Sequence, residues 1–584
     1  MLFEESETNI PKSRELKQLP TSEDIHKEDR PKSSAPRLAE EFPAVKFSRV
    51  VTGICIAAYL VIGVVMAWLS RLEMTPDGFG YVQIARHYAN GSLALAVNSW
   101  WSPLLPWLLV PLIWMKVHPI LAARLLSVVF GLGFALGVSA LVRGMTGGRG
   151  WLIALVMGLL ASLTMLSRYL SPDMLLACLL TWYFVKAMKL LRSDSLGLAA
   201  VVGLLGGLAY LAKAYAMPFV VVHLAGTAVF KSAFVRGRFT STCVKQYTAA
   251  LAVLFLVAAP WILTISIHDG RPTLGSAAKH ASAWSGNARM DRMPFIRLQM
   301  PREGRIWSWE DPAETQFPWP TWSALDGMRG LLKQIQVTSA NVLSIPDLLN
   351  STDALQLMSG GFLLVLVFLF PLRQTLKSHP DMLRLWAVLS VLLYMGGYVS
   401  LFVYDRYLWP TWGIIFALFI LGPPSLRFAS RPGVNNGPAD QPSTSTQTLT
   451  YWHRLILGIF VVSLATNAVS ELRSRMNAKA NVATRFKQVG EKLKDHHLFA
   501  ANKWRPGLYV TYWANGRFLG QQAGKTPDEV ATELAPFGQP VLLVFDDTVL
   551  ARVLTQSPLF TSLPTAKEGM WAFELRGTGE KSVP

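Results

Sequence analysis

Five charged side chains stand out in this sequence because each lies at or near the end of an apolar stretch. They are two carboxylates and three cations: Asp77, Arg168, Asp173, Lys213 and Arg406. Ionisable residues are costly in apolar surroundings and are functional candidates by default. The cations are suited to bind a phosphate or diphosphate and to stabilise it as a leaving group. A carboxylate is suited to act as general base toward a hydroxyl or amine, or to bind a divalent metal ion.

Each of these residues also has a simpler explanation when it is considered alone. Asp77 in TPDGFG and Asp173 in LSPDML both follow a proline at a predicted helix start, where an aspartate commonly caps the helix. Arg168 could extend to lipid headgroups, and Lys213 in LAKAYA could be an interfacial anchor. The aromatic residues of VYDRYLWP are typical of a membrane interface, but the acid next to Arg406 is not. The five residues are informative only if the fold brings them to one side.

The elements that must position these residues are membrane spans. Hydrophobic residues make up 51% of the 584 residues, only 16% are charged, and the mean hydropathy is +0.32. Many of the apolar stretches reach the roughly 20 residues that a helix needs to cross a bilayer core. The formal net charge of +18 does not indicate nucleic-acid binding, because Lys and Arg cluster in short loops between apolar stretches. We therefore predict an all-α polytopic membrane protein.

The positions of Lys and Arg select the number of spans. The stretch 104–117 is short and contains Pro106 and Pro111, so we predict that it lies in the interface as a juxtamembrane helix of the first outer loop. With this assignment every short basic loop is cytoplasmic, as the positive-inside rule requires, and all five charged residues lie outside. The eleven predicted spans are 51–70, 119–142, 150–167, 173–190, 196–212, 215–231, 247–267, 354–372, 383–402, 407–422 and 454–471.

The segments between and beyond the spans complete the predicted organisation. They are a disordered cytoplasmic tail (1–50), a transmembrane region (51–422) with outer loops 71–118 and 268–353, a cytoplasmic linker (423–453), a last span (454–471) and an extracytoplasmic region (472–584). In the last region, helix-like stretches 477–495 and 526–535 and strand-like runs 508–513 and 540–545 predict a small α/β domain. The N-terminus is then cytoplasmic and the C-terminus extracytoplasmic, and the compact loops favour a bacterial inner membrane.

Several short motifs resemble those of one known group, the C-type (GT-C) glycosyltransferases, in particular the protein O-mannosyltransferases and the aminoarabinose transferases of lipid A. The motifs are PDGFGYVQIAR, WWSPLLPWLL, RYLSPDMLL, LAKAYA and DRYLWP. The resemblance covers roughly residues 50–270 and, more loosely, the region up to residue 422. It implies a seven-span N-terminal core with a juxtamembrane first loop, and an enzyme that takes its sugar from a polyprenyl-phosphate donor in the membrane.

The resemblance also implies roles for individual residues. Asp77 matches the first-loop acid implicated in catalysis, Arg168 and Asp173 match a second-turn pair, and Lys213 matches a lysine near the donor phosphate. Gly78 departs from the group, where a second acid often follows the first. This departure weakens a two-carboxylate metal site, although a divalent metal ion as cofactor stays open.

We accordingly predict an inverting transfer to an extracytoplasmic protein, lipid or glycan. Asp77 and Asp173 are the predicted catalytic residues, and the donor phosphate is bound by Lys213, Arg406 and Arg168. Further candidates for substrate contacts are Tyr81, Lys279, His280 and Tyr407.

The sequence leaves other functions open. A transporter or flippase for a lipid-linked or anionic substrate is the main alternative, for which inverted repeats and ionisable residues near the middle of the bilayer are expected. A non-catalytic membrane scaffold is a third interpretation. Membrane lipids are the expected surroundings in every case, and nucleic acid is not an expected partner.

Overall fold

Helices make up most of the chain in the computed structural model, which describes residues 41–148, 150–238, 240–277, 293–320, 322–350, 379–421, 444–476, 480–567 and 569–576. Residues 1–51 and 52–584 form two units, and the contacts given below lie within the second. The helices are α1 (Glu41–Leu69), α2 (Pro76–Ala89), α3 (Leu93–Ala96), α4 (Leu104–Trp114), α5 (Pro119–Thr146), α6 (Trp151–Arg168), α7 (Asp173–Leu190), α8 (Leu196–Ala212), α9 (Ala216–Phe230), α10 (Ser241–His268), α11 (Gly327–Asn350), α12 (His379–Val399), α13 (Trp409–Leu421), α14 (Thr444–Ser474), α15 (Ala480–Lys492), α16 (Trp504–Ala514), α17 (Pro527–Leu534) and α18 (Thr548–Gln556).

Five of the described helices are long and apolar enough to cross a membrane. They comprise Ser48–Leu69, Pro119–Thr146, Ala216–Val235, Ser241–His268 and Met382–Val399. Leu104–Trp114, Trp151–Leu166 and Leu196–Ala212 are apolar but shorter. The structure therefore supports a multi-pass membrane protein without reproducing the predicted count of eleven spans, and the predicted span 354–372 lies outside the described residues.

Small residues let the apolar helices approach closely. A side chain at Gly158 of α6 would meet the backbone of Ala135 in α5 at 2.8 Å, and one at Gly203 of α8 would meet the carbonyl oxygen of Ala250 in α10 at 2.1 Å. In a bilayer, packing of this kind drives helix association, because lipid tails are as apolar as the side chains they replace. Glycine at these positions thus allows α5 and α6, and α8 and α10, to approach closely.

Several helices extend beyond the predicted boundaries, and α1 and α14 do so by the most residues. Helix α1 begins at Glu41, inside the predicted tail, and α14 begins at Thr444, inside the predicted linker 423–453. The prediction located the apolar residues, but a helix does not end where its apolar residues end. Once a helix is nucleated, each added residue gains a backbone hydrogen bond, so the helix continues into polar sequence.

The C-terminal region forms the predicted small α/β domain. Its strands are β1 (Leu498–Ala501), β2 (Arg517–Gln521), β3 (Val541–Phe545), β4 (Phe560–Lys567) and β5 (Met570–Leu575), in the sheet order β2-β1-β3-β5-β4. Strand β1 pairs in parallel with β2 and β3, whereas β5 is antiparallel to β3 and β4. Helices α15 and α16 pack on one face of the sheet, and α17 and α18 pack on the other.

The predicted strand 508–513 is wrong, because this segment lies inside helix α16. The run LYVTYW is rich in β-branched and aromatic residues, which favour strands. The side chains buried in α16 recur at helical spacing, and they are Trp504, Gly507, Leu508, Val510, Thr511, Tyr512 and Ala514. Packing of this face against the sheet overrides the local propensity. The predicted strand 540–545 and helix 526–535 are confirmed as β3 and α17.

Within the predicted outer loop 268–353, the described residues 293–320 contact the C-terminal domain, which the sequence did not predict. The amide of Gln299 donates a hydrogen bond to the carbonyl oxygen of Leu519 (2.9 Å). The amide of Phe518 donates one to the carbonyl oxygen of Ile306 (2.6 Å). These bonds attach the loop to β2, which is the edge strand of the sheet. The same loop contains α11, a helix absent from the prediction.

Candidate functional site

The charged residues singled out from the sequence lie at helix ends on one side of the bundle. Asp77 is the second residue of α2, Asp173 is the first of α7, and Lys213 directly follows α8. Arg406 belongs to a short 3-10 helix, Asp405–Leu408, which precedes α13. Asp173 at the beginning of α7 contacts Lys213 at the end of α8, so these helices are antiparallel and bring sequence-distant residues together.

Four of these side chains form one connected group, which we call the charge cluster: Asp77, Asp173, Lys213 and Arg406. Asp77 Oδ2 lies 2.5 Å from Arg406 Nη2, and Arg406 Nε lies 3.6 Å from Asp173 Oδ2. The Lys213 ammonium donates a hydrogen bond to Asp173 Oδ1 at 2.5 Å. Each cation is neutralised by a carboxylate, as buried charges generally require.

The two carboxylates of the charge cluster differ in exposure and in bonding. The Asp173 side chain is 2% exposed, and its oxygens accept hydrogen bonds from Lys213 and from the Ser171 hydroxyl (2.8 Å). The Asp77 side chain is 25% exposed and contacts Arg406. Asp173 therefore contacts both cations from a buried position, whereas Asp77 is the more accessible of the two carboxylates.

The start of α2 is attached to the turn that leads into α7. The Thr75 hydroxyl accepts a hydrogen bond from the Gly78 amide and donates one to the carbonyl oxygen of Leu170, both at 3.2 Å. A Cβ atom at Gly78 would lie 2.7 Å from that carbonyl oxygen. Gly78 stands where the group that the motifs resemble often has a second acid. The close approach gives a steric reason for this glycine, because no side chain fits there. Asp77 and Asp173 both lie in the first turn of a helix, where the helix dipole favours a negative charge.

Aromatic rings surround the cations of the charge cluster. Lys213 Nζ lies 3.8 Å from the centre of the Tyr407 ring, and the Arg406 guanidinium lies 5.0 Å from that of Tyr169 and 5.4 Å from that of Tyr404. Burial raises the pKa of Tyr81 well above its usual range, and the negative charges of Asp173 and Asp77 raise it further. The predicted contacts Tyr81 and Tyr407 therefore both lie beside the cluster.

Arg168 does not join the charge cluster. Its Nη1 atom lies 3.8 Å from Asp405 Oδ2, and the hydroxyl of the neighbouring Tyr169 donates a hydrogen bond to Asp405 Oδ1 (3.2 Å). This second pair borders the cluster through Tyr169, whose ring contacts Arg406. Asp405 was noticed in the sequence only as the neighbour of Arg406, and the structure gives it a partner of its own.

Several residues at the site were not among the predicted site residues. They are Thr75, Tyr169, Ser171, Tyr398, Tyr404 and Asp405. All except Tyr398 lie within a few residues of a charged residue singled out from the sequence, so the same motifs could have identified them. The predicted contacts Lys279 and His280 lie outside the described residues. Within the described ranges, no group of three or more His, Cys, Asp and Glu side chains is placed to hold a metal ion.

Comparison with known proteins shows similarity to solved structures alone. No protein-family model and no curated protein matches the chain. Among solved structures, ArnT from Cupriavidus metallidurans bound to undecaprenyl phosphate is 15% identical, with a TM-score of 0.48 over 90% of this chain and 97% of that one. The oligosaccharyltransferase from Archaeoglobus fulgidus is 11% identical, with a TM-score of 0.49 over 84% and 70%.

A third similar structure is the arabinofuranosyltransferase AftD from Mycobacteria. It is 12% identical, with a TM-score of 0.46 over 89% of this chain and 40% of that one. All three are glycosyltransferases of the GT-C superfamily, the group that the sequence motifs resemble.

Proposed function

We propose that this protein is an integral membrane glycosyltransferase that moves a sugar from a polyprenyl-phosphate donor to an extracytoplasmic acceptor. The observation that carries the proposal is the charge cluster, in which a partly exposed carboxylate, a buried carboxylate and two cations meet at one end of an apolar helix bundle. A donor with a lipid tail and a charged head needs this combination of an apolar path and adjacent cations.

The chemistry of the site follows from the charges. The phosphate of the donor binds Arg406 and Lys213, with Arg168 nearby. An acceptor hydroxyl or amine attacks the anomeric carbon, the bond from that carbon to the phosphate oxygen breaks, and the phosphate leaves with the electron pair. The two cations stabilise the negative charge that develops on the leaving group. Asp77 takes the proton from the acceptor, and the single displacement inverts the anomeric carbon.

Asp173 acts by positioning in this scheme. It contacts both Lys213 and Arg406, and its own orientation is set by the Ser171 hydroxyl. The rings of Tyr407, Tyr169 and Tyr404 shield the cations from water, which strengthens their attraction for a phosphate. Tyr81 borders the same space and is a candidate contact for the sugar or the acceptor.

The arrangement of the charges favours an enzyme over a transporter. Asp77, Asp173, Lys213 and Arg406 all lie at helix ends, whereas an alternating-access transporter is expected to hold its substrate near the middle of the bilayer. A site at the helix ends also lies next to the outer loops, from which a water-soluble acceptor would approach.

The test is transfer of labelled sugar from a panel of polyprenyl-phosphate donors by purified protein in nanodiscs, with and without divalent cations. The variant is Asp77→Asn and the matched control is Asp528→Asn. Both aspartates are the second residue of a helix and follow a Thr-Pro pair, but Asp528 is exposed and lies in α17 of the C-terminal domain. The control therefore removes a helix-start carboxylate without touching the charge cluster.

We expect turnover by the wild type and by Asp528→Asn, and a loss of about 10²- to 10⁴-fold in Asp77→Asn, the range usual for a general base. Full activity of a folded Asp77→Asn protein would disprove the base role. If the wild type transferred no sugar from any donor to a broad panel of acceptors, the enzyme proposal itself would fall and transport would be tested next.

A further inference from the structure

We propose that Arg505, which belongs to the C-terminal domain, is a further ligand of the donor phosphate and completes the site from outside the membrane region. This inference rests on the proposed function and deepens it. It gives the C-terminal domain a direct part in binding the donor.

The geometry of α16 directs Arg505 toward the charge cluster. Arg505, Tyr509 and Tyr512 are spaced four and three residues apart, so they share one face of the helix. Tyr512 contacts α2 at two points, because its ring lies 6.0 Å from that of Phe79 and its hydroxyl accepts a hydrogen bond from Arg86 (2.8 Å). This face of α16 therefore lies against α2, the helix that begins at Asp77.

Toward the N-terminal end of α16, this face approaches the charge cluster. Burial raises the pKa of Tyr509, the positive charge of Arg505 opposes the rise, and the negative charge of Asp77 adds to it. Burial also raises the pKa of Tyr404, while the charges of Arg406 and Arg505 both oppose that rise. Tyr404 is one of the rings that contact Arg406. The geometry agrees: the Phe79 ring, two residues after Asp77, lies 6.2 Å from the Trp307 ring, which lies 5.5 Å from that of Trp504. The start of α16, with Arg505, therefore lies at the end of α2 that begins with Asp77.

The charge balance of the site leaves a role for one more cation. The charge cluster and the neighbouring Arg168–Asp405 pair contain three cations and three carboxylates, which cancel. A phosphate that enters this neutral group adds negative charge close to Asp77. Among the residues that the structure describes, no ion pair joins a carboxylate to Arg505, and its side chain is exposed. It is therefore available to neutralise the added charge.

The Arg505 side chain is exposed but contacts the ring of its neighbour Trp504. Its guanidinium lies 5.0 Å from the centre of the Trp504 ring. Trp504 packs in turn against Phe295 and Trp307 of the outer loop, with ring centres 6.0 and 5.5 Å apart. The outer loop and the C-terminal domain together hold this arginine at the site, which gives a reason for their contact.

The experiment measures binding of undecaprenyl phosphate, without sugar or acceptor, to the full-length protein in nanodiscs. Undecaprenol, which has the same chain without the phosphate, is the comparison ligand. The variants are Arg505→Gln and Arg505→Lys. The control is Arg552→Gln, which removes an exposed arginine from α18 on the opposite face of the sheet. Thermal unfolding of each variant verifies that the fold is intact.

We expect Arg505→Gln to weaken undecaprenyl phosphate binding by about tenfold, as for the loss of one charged hydrogen bond, and to leave undecaprenol binding unchanged. Arg505→Lys should recover part of the loss, and Arg552→Gln should bind as the wild type does. Unchanged phosphate binding in Arg505→Gln would overturn the inference. If transfer fell in that variant while donor binding stayed unchanged, Arg505 would act in a later step, and its role as a donor ligand would still be wrong.

The same data separate this inference from the proposed function. If the wild type bound undecaprenyl phosphate no better than undecaprenol, the donor proposal would fail, and the role of Arg505 would fail with it. If the wild type preferred the phosphate and Arg505→Gln kept that preference, only the role of Arg505 would be wrong.

Discussion

Asp77 Oδ2 and Arg406 Nη2 lie 2.5 Å apart, although 329 residues separate them in the chain. The pair joins the start of α2 to the short 3-10 helix before α13. In the proposed function these partners have different roles: Asp77 takes the proton from the acceptor, and Arg406 binds the phosphate of the donor. When the donor phosphate binds Arg406, the ion pair between Asp77 and Arg406 must therefore weaken.

We expect Asp77→Asn to bind undecaprenyl phosphate about 5-fold more tightly than the wild type, while its sugar transfer is lost. The carboxylate competes with the phosphate for Arg406, so its neutralisation frees the guanidinium, and 5-fold corresponds to about 1 kcal/mol. Binding and turnover are measured on the same nanodisc preparation, with Asp528→Asn as control. Weaker donor binding in Asp77→Asn would show that the carboxylate supports the phosphate site instead of competing for it.

A second prediction concerns the buried pair of Asp173 and Lys213. Asp173→Asn leaves the Lys213 ammonium without its carboxylate in a site where the aspartate side chain was only 2% exposed. Breaking a buried pair by removing one partner costs about 3 kcal/mol or more, so the free energy of unfolding should fall by about that amount. The melting temperature in detergent is the measurement.

Asp546→Asn is the matched control for this variant. Asp546 also pairs with a lysine, Lys503, at 3.0 Å, but the two side chains are 73% and 50% exposed. An exposed pair contributes little, so the control should leave the melting temperature nearly unchanged. Equal losses in the two variants would contradict the buried role of Asp173.

The third prediction tests the close approach at Gly78. Gly78→Ala places a Cβ atom 2.7 Å from the carbonyl oxygen of Leu170, so the start of α2 must move away from the turn before α7. We expect a loss of about 2 kcal/mol in stability, and lower transfer because Asp77 moves with the helix. Gly226→Ala in α9 is the control, since a Cβ atom there meets nothing within 4 Å. A Gly78→Ala protein with full stability and activity would show that the contact is not required.

The fourth prediction is a pH dependence from the outer loop. Burial raises the pKa of Asp311 to about 6, although Arg305 lies 3.2 Å away. An ordinary aspartate has a pKa near 3.9, so between pH 4 and 6 the folded protein binds a proton that the unfolded chain releases. This contribution to stability is full below about pH 4 and is lost as the pH rises through 6.

Asp311→Asn should remove this pH dependence. The difference in melting temperature between the wild type and the variant, measured from about pH 3.5 to 7.5, should change most between about pH 4 and 6 and level off above that range. The wild type is expected to lose roughly 3 kcal/mol of stability relative to the variant over the full titration. If the two proteins respond identically to pH, Asp311 does not titrate in this range.

Much of the organisation follows from the sequence because it depends on local properties. Apolar stretches and Pro-Asp turns identified the helix starts at Pro76 and Asp173, and helix-like and strand-like runs predicted the C-terminal α/β domain. Helix limits were less accurate, as α1 and α14 show, because hydrogen bonding continues past the apolar residues. The strand predicted at 508–513 failed since packing on the sheet, and not propensity, decided the conformation of α16.

For the site, the sequence by itself determined which charges are present and that each lies at the end of an apolar stretch. Only the tertiary structure decided their pairing. It joined Asp77 to Arg406 and Asp173 to Lys213, and it turned Arg168 toward Asp405. It also placed α16 against α2 through Tyr512 and Phe79. The physical reason is range: helix formation depends on neighbours in the chain, whereas an ion pair depends on distance in space, which the packing of whole helices sets.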